Sequence, residues 1–318
     1  MLIESLKITS NAIIQSFILG LVGYFLIKRN ILGQEGLKAL SRLVLEITLP
    51  ALILYRLCKD FDFSRYPDWW IYPLISVVIS IIAIFVGFLF TGFIKDNLDK
   101  RQFLSLVSFQ NSGYLPLVLI ASLLPPDKAD IMLIYLFLFL LGFNLLLFSL
   151  GVYILNYSRG KKFDWVSLFN PPVIATVVGL LMVFLNLQKF IPGLIIKPLE
   201  MVGDCTLPLS IFVVGGNLAS IQLLKVDRKG ISLLILVKLI LLPLMGLWFV
   251  SYFRLPQLLG LLIVMQLAMP SATNLAVILN RYKKEDKLIS QGIFYSHLFS
   301  LVTVPLFLSF YFARLMLK

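Results

Sequence analysis

Long runs of apolar residues recur along the whole chain, separated by short clusters of Lys, Arg, Asp, Gly and Pro. A helix needs about 20 mostly apolar residues to cross the hydrocarbon of a bilayer. Such runs predict ten spans, near residues 9–27, 36–57, 70–94, 101–124, 130–157, 171–187, 194–219, 230–252, 256–280 and 288–314. No stretch between them is long enough for a separate water-soluble domain. The pattern predicts an all-α polytopic membrane protein whose first span stays in place, because no basic n-region precedes it and no small-residue cleavage site follows it.

The chain also matches itself when shifted by 158 or 159 residues. Gly20-Leu21 then falls on Gly179-Leu180, and Phe25-Leu26 on Phe184-Leu185. Apolar matches arise easily by chance. More telling is Glu46-Ile47-Thr48-Leu49-Pro50 over Asp204-Cys205-Thr206-Leu207-Pro208, which keeps an acid, a threonine, a leucine and a proline in register. Asn111-Ser112-Gly113 likewise falls on Pro270-Ser271-Ala272. The expected organisation is two five-helix repeats, residues 1–158 and 159–318. An odd number of spans per repeat inverts the second relative to the first, a common plan of secondary transporters.

Spans four and nine carry the candidate chemistry. Span four contains Gln110-Asn111-Ser112-Gly113-Tyr114-Leu115-Pro116, and span nine Gln266-Leu267-Ala268-Met269-Pro270-Ser271-Ala272-Thr273-Asn274. Proline removes a backbone donor and clashes with the preceding turn, and glycine weakens a helix further. Both helices are expected to break there, which a membrane tolerates only inside protein or beside a watery cavity. A break creates a half-helix N-terminus whose unpaired amides attract an anion. Candidate substrate-binding residues are Asn111, Gly113, Tyr114 and Pro116 in span four, with Pro270, Ser271, Thr273 and Asn274 in span nine.

Charge and composition narrow the classes. Hydrophobic residues make up 59% and charged residues 14%, against roughly 25% charged in soluble proteins, and the mean hydropathy is +0.95. The net charge of +12 lies between apolar spans, so it reads as a topology signal and not as a nucleic-acid surface. With ten spans, one side collects 17 Lys and Arg and the other 10, which places the odd-numbered connections in the cytoplasm and both termini outside. Glu46, Asp204 and Lys238 fall inside apolar runs, where an ionised group must pair, titrate or face water. Together with Gln110 and Gln266 beside the breaks, they are the candidates for ion pairing or for coupling to protons or sodium. His297, the one histidine, reads as a hydrogen-bonded packing residue, and Cys58 and Cys205 as small buried apolar residues. No HExxH pair, Cys-rich metal spacing, phosphate loop or G-x-S-x-G elbow occurs, so neither catalysis nor a cofactor nor a metal is expected.

The segments Leu49-Pro50-Ala51-Leu52, Asn111-Ser112-Gly113-Tyr114-Leu115-Pro116 and Pro270-Ser271-Ala272-Thr273-Asn274 resemble the auxin efflux carriers, a family that includes plant PIN proteins and bacterial malate and malonate permeases. The resemblance covers essentially the whole chain. It implies a fold shared with bile-acid sodium symporters, with spans one, two, six and seven as a scaffold and the other six as a unit moving like an elevator. It further implies that spans four and nine cross at their breaks, where Asn111, Pro116, Pro270 and Asn274 hold a substrate carboxylate. A homodimer through the scaffold is implied as well, which gives Glu46 and Asp204 an alternative role at a subunit contact. The long cytoplasmic loop of many plant members is missing, since Ser158 to Phe169 alone join the halves. The expected function is a carrier of small organic anions in the plasma (inner) membrane, with no nucleic-acid partner. The alternatives are a sodium-coupled symporter of the bile-acid type and a non-transporting membrane sensor or scaffold of the same fold.

Overall fold

A computed structural model describes residues 2–156, 168–221, 227–281 and 287–316. The junction expected near residue 158 and the basic residues Arg159, Lys161, Lys162, Lys225, Lys283, Lys284 and Lys318 lie outside the described residues. The described chain is helical, with no strand. In order the helices are α1 (Leu2–Lys28), α2 (Gln34–Leu43), α3 (Leu49–Asp60), α4 (Ile71–Phe90), α5 (Asn97–Ser108), α6 (Tyr114–Leu123), α7 (Pro126–Leu146), α8 (Val152–Asn156), α9 (Pro171–Phe184), α10 (Gly193–Asp204), α11 (Thr206–Ser220), α12 (Arg228–Leu234), α13 (Leu242–Phe253), α14 (Gln257–Ala268), α15 (Asn274–Arg281) and α16 (Lys287–Tyr311).

Six helical runs are long and apolar enough to cross a membrane: Leu2–Lys28, Ile71–Phe93, Pro126–Leu155, Gly193–Ser220, Arg228–Phe253 and Leu288–Arg314. The expected spans four and nine divide into shorter pieces at their breaks, of which Tyr114–Leu123 and Gln257–Ala268 are strongly apolar, and Pro171–Phe184 is shorter than the expected span six. The surface is inside-out by the standard of a soluble protein. Leu194, Phe85 and Trp248 are exposed while Lys238, His297, Gln110 and Gln266 are buried, the distribution that a lipid solvent favours.

Among the described residues three π-helical stretches join helices end to end, at Val44–Thr48, Leu147–Gly151 and Ile235–Leu241, and a fourth, Phe312–Met316, extends α16. Two of them have a visible cause. Pro50 and Pro243 stand at the second position of α3 and α13, directly after Val44–Thr48 and Ile235–Leu241. A proline cannot donate to the carbonyl one turn back and its ring clashes there, and a widened turn relieves both problems without ending the helix.

Lipid tails are as apolar as leucine, so membrane helices associate through close packing and not through a hydrophobic drive. Small residues mark the tightest seams. A Cβ at Gly215 of α11 would lie 1.8 Å from the Gly20 carbonyl oxygen of α1, and one at Gly23 would lie 2.1 Å from the Phe212 carbonyl oxygen. Likewise a Cβ at Gly142 of α7 would lie 2.3 Å from the Pro73 carbonyl oxygen of α4. At one end of the molecule α3 is tied to its neighbours by charge. Arg56 reaches Asp60 at 3.4 Å and Asp130 of α7 at 2.5 Å, and Lys59 lies 3.8 Å from Glu200 of α10. Cys205 departs from its expected burial: it is exposed, at the point where α10 gives way to α11 and the backbone turns its side chain outward.

Replacing Gly215 by valine must push the α1 and α11 backbones apart, and overpacking of this kind costs about 1–3 kcal/mol. Gly193→Ala meets nothing within 4 Å and is expected to stay within about 0.5 kcal/mol of wild type. Thermal unfolding of detergent-purified protein reads both, and equal midpoints for wild type and Gly215→Val would refute a backbone-to-backbone seam.

Candidate functional site

α5 ends at Ser108 and α6 begins at Tyr114, while α14 ends at Ala268 and α15 begins at Asn274. Between them lie two short extended segments that meet as an antiparallel bridge, Gln110 opposite Ser271. The Asn111 amide donates to the Pro270 carbonyl at 2.8 Å, and the Ala272 amide to the Phe109 carbonyl at 2.9 Å. Each broken helix therefore supplies backbone partners that the other has lost.

A broken helix also strands the last carbonyls of its first half, and here they are taken up one by one. Ser105 accepts from the Phe109 amide at 3.0 Å. Leu106 accepts from the Ser271 hydroxyl at 2.8 Å, and Val107 from the Lys238 ammonium at 2.9 Å. Within the break, the Ser112 amide bonds the Gln110 carbonyl at 2.8 Å, and Gln266 Nε2 bonds the Ser112 carbonyl at 3.1 Å. The Ser271 amide donates to Ser296 Oγ at 3.2 Å. Pro116 sits in the first turn of α6, where an amide has no helical partner and its absence costs nothing.

The side chains divide into spent and unspent groups. His297 Nδ1 lies 2.8 Å from the Ile293 carbonyl, which can only accept, so in the neutral ring Nδ1 carries the proton and Nε2 is the acceptor. Asn111 Nδ2 lies 3.4 Å from that Nε2 and donates to it. The Asn111 carboxamide is thus oriented by a histidine 186 positions away. Among the described residues, both polar atoms of the Gln110 carboxamide, Ser112 Oγ, Tyr114 Oη and Gln266 Oε1 are buried with no hydrogen-bond partner. Asn274 opens α15 half-buried, and Thr273 beside it is buried. Gly113 precedes α6 with a negative φ of −102° and a Cβ there would meet only Leu140 at 3.9 Å, so nothing in the structure explains its being glycine.

Of the coupling and ion-pair candidates, Lys238, Gln110 and Gln266 lie at the crossing, and Glu46 and Asp204 do not. Glu46, in the π-helical stretch before α3, and Asp204, at the end of α10, are both exposed on the outer surface. Among the described residues neither pairs with Lys238, whose ammonium is spent on a backbone carbonyl. The roles of His297, Ser296 and Lys238 at the crossing were not readable from spacing, because all three reach it from helices distant in sequence.

Two small apolar cavities lie beside α1 and α6, the larger one also against α11. The larger, of about 60 Å³, is lined by residues including Phe17, Tyr24, Leu115, Ile211 and Leu218. The smaller, of about 10 Å³, shares Ser16, Phe17 and Leu115 with it and reaches Met269 and Ser300, next to Pro270 and one turn from His297.

The profile of a family described as "Membrane transport protein" matches residues 8–308. An uncharacterized transporter of Methanothermobacter thermautotrophicus is 26% identical over 308 residues, covering 94% of this chain and 97% of that one. One from Methanocaldococcus jannaschii is 26% identical over 304 residues, covering 91% and 94%. The Arabidopsis thaliana protein PIN-LIKES 1 is 22% identical, covering 91% of this chain and 76% of that one.

Ser271→Ala leaves the buried Leu106 carbonyl without its donor, which is expected to lower stability by about 1–3 kcal/mol. Ser149→Ala removes a hydroxyl that bonds only the preceding turn of its own helix and is expected to stay within about 0.5 kcal/mol. Thermal midpoints of the two variants check the difference, and parity between them would count against the crossing as a mutually capped unit.

Proposed function

This chain belongs to the membrane transport protein family and is a multi-pass membrane protein, and on that premise we propose that it is a secondary carrier of small organic anions. The observation that carries the reading is the pair of backbone bonds between residues 109–111 and 270–272. They hold the N-termini of α6 and α15, two positive dipole ends, at the two ends of one short paired segment inside the protein. Unpaired amides at such ends attract a carboxylate. The second amide hydrogen of Asn111 and the carboxamide of Asn274 supply orienting donors, and Gly113, Tyr114, Pro116, Pro270, Ser271 and Thr273 shape the site around them.

The body of the substrate is apolar on this reading. The cavity between α1, α6 and α11 is walled by Phe17, Leu115, Ile211 and Leu218, a lining in which the desolvation of a malate-like second carboxylate would go uncompensated. Ten spans in two inverted repeats, residues 1–158 and 159–318, give the crossing alternating access by an elevator motion of α4 to α8 and α12 to α16 against the remaining helices. Both termini lie outside the plasma (inner) membrane, as the excess of basic residues in the odd-numbered connections requires. The exposed Glu46 and Asp204 fit a subunit contact in a homodimer better than a coupling role, because no coupling ion would pass them. No enzymatic activity is part of the proposal.

Reconstitution into proteoliposomes tests it. Uptake of labelled indole-3-acetate or benzoate is expected to exceed that of malate. Asn111→Ala and Asn274→Ala are each expected to cut the initial rate about tenfold or more, since a hydrogen bond to a charged group contributes about 1.5–3 kcal/mol. Wild-type rates in both variants would refute the site, and an absence of uptake by the wild type itself would favour a non-transporting sensor of the same build.

A further inference from the structure

Among the described residues no Asp or Glu is buried, yet Lys238 has no exposed surface at all. It stands in the π-helical stretch Ile235–Leu241, a departure from α-helix that often marks functional positions. Its ammonium donates to the Val107 carbonyl at 2.9 Å. Val107 is the penultimate residue of α5, so that carbonyl belongs to the negative end of the helix dipole. None of the ion pairs among the described residues reaches Lys238, and no three of the ligand types His, Cys, Asp and Glu converge there or elsewhere among them.

Carbonyls at the broken end of a half-helix are the kind of ligand that binds a coupling sodium in carriers made of interrupted helices. In this chain such a carbonyl already accepts from the Lys238 nitrogen, tethered by four methylenes. An ammonium and a sodium ion carry the same charge, and two of them a few ångströms apart in a buried site repel strongly. We propose that Lys238 is a resident cation, which permanently fills the position at the end of α5 where a carrier of this plan would bind and release sodium. This end of the crossing takes no metal ion, and a cation that never leaves draws on no gradient. The inference deepens the carrier reading and rests on it. It makes Lys238 a positioning residue: the ammonium fixes the end of α5 and so the segment that carries Asn111.

The test reads thermal midpoints of the purified full-length protein in sodium chloride and in choline chloride at equal ionic strength. Wild type is expected to give the same midpoint in both salts. Lys238→Met, which keeps the stem and removes the charge, is expected to lower the midpoint by several degrees. Lys238→Ala, which opens room beside the Val107 carbonyl, is expected to gain a sodium response that wild type lacks. A sodium-specific rise in wild type would overturn the proposal without any variant. So would a Lys238→Met midpoint equal to that of wild type, or a Lys238→Ala protein indifferent to sodium. Since the readout is stability and not uptake, a chain that moves no carboxylate would sink the carrier reading while these midpoints still decide the role of Lys238.

Discussion

A hydrocarbon interior supplies no water to an unpaired amide or carbonyl, so every interruption of a helix there must be completed by protein. That constraint organises the centre of this molecule. α5 and α14 both stop short, and the groups they strand are completed by each other's backbones at Asn111, Pro270, Phe109 and Ala272, and by Ser271, Gln266 and Lys238. The crossing cannot be loosened on one side alone, because each segment is the other's solvent. Backbone pairing normally belongs to sheets. Here a single antiparallel bridge does the same task in a helical protein.

The same geometry sorts charge. Two helix ends of negative sign and two of positive sign converge within one crossing, and the chain treats them differently. On the negative side a lysine from a third segment, Ile235–Leu241, lies on the Val107 carbonyl. On the positive side the N-termini of α6 and α15 are left with neutral neighbours, Tyr114, Thr273 and Asn274, none of which cancels their field. The two positive ends are thus left without a fixed negative charge beside them. His297 fixes another neutral side chain of the crossing: its bare Nε2 accepts from the Asn111 amide nitrogen.

What could be seen in the sequence follows from how local the cause is. The breaks were visible because proline and a polar cluster in an apolar run act within one turn, and they fall within the expected Gln110 to Pro116 and Gln266 to Asn274, although Gln266 to Ala268 stay helical. That the two breaks meet came from family resemblance, since no local signal links Asn111 to Pro270. Lys238 stood out as a charge in an apolar run, but its partner was sought among acids. A backbone carbonyl left over by another helix's break has no signature in composition. Glu46 and Asp204 matched in register, yet register says nothing about which way a helix face turns, and both point outward. The widened turns before Pro50 and Pro243 were missed for a related reason, because a proline announces a disturbance without saying whether the helix will end, bend or swell.

The contact between α1 and α11 shares its character with that of α7 and α4. Gly20, Gly23 and Gly215 bring main chain against main chain, so the joint has no rotamers to exchange and no intermediate register in which to rest. Surfaces lined by Leu115, Phe17 and Ile211 can reshuffle as one helix travels past another. A weld of bare peptide groups cannot. In any relative motion of the helices, the close approach at Gly20, Gly23 and Gly215 keeps α1 and α11 together as a single beam.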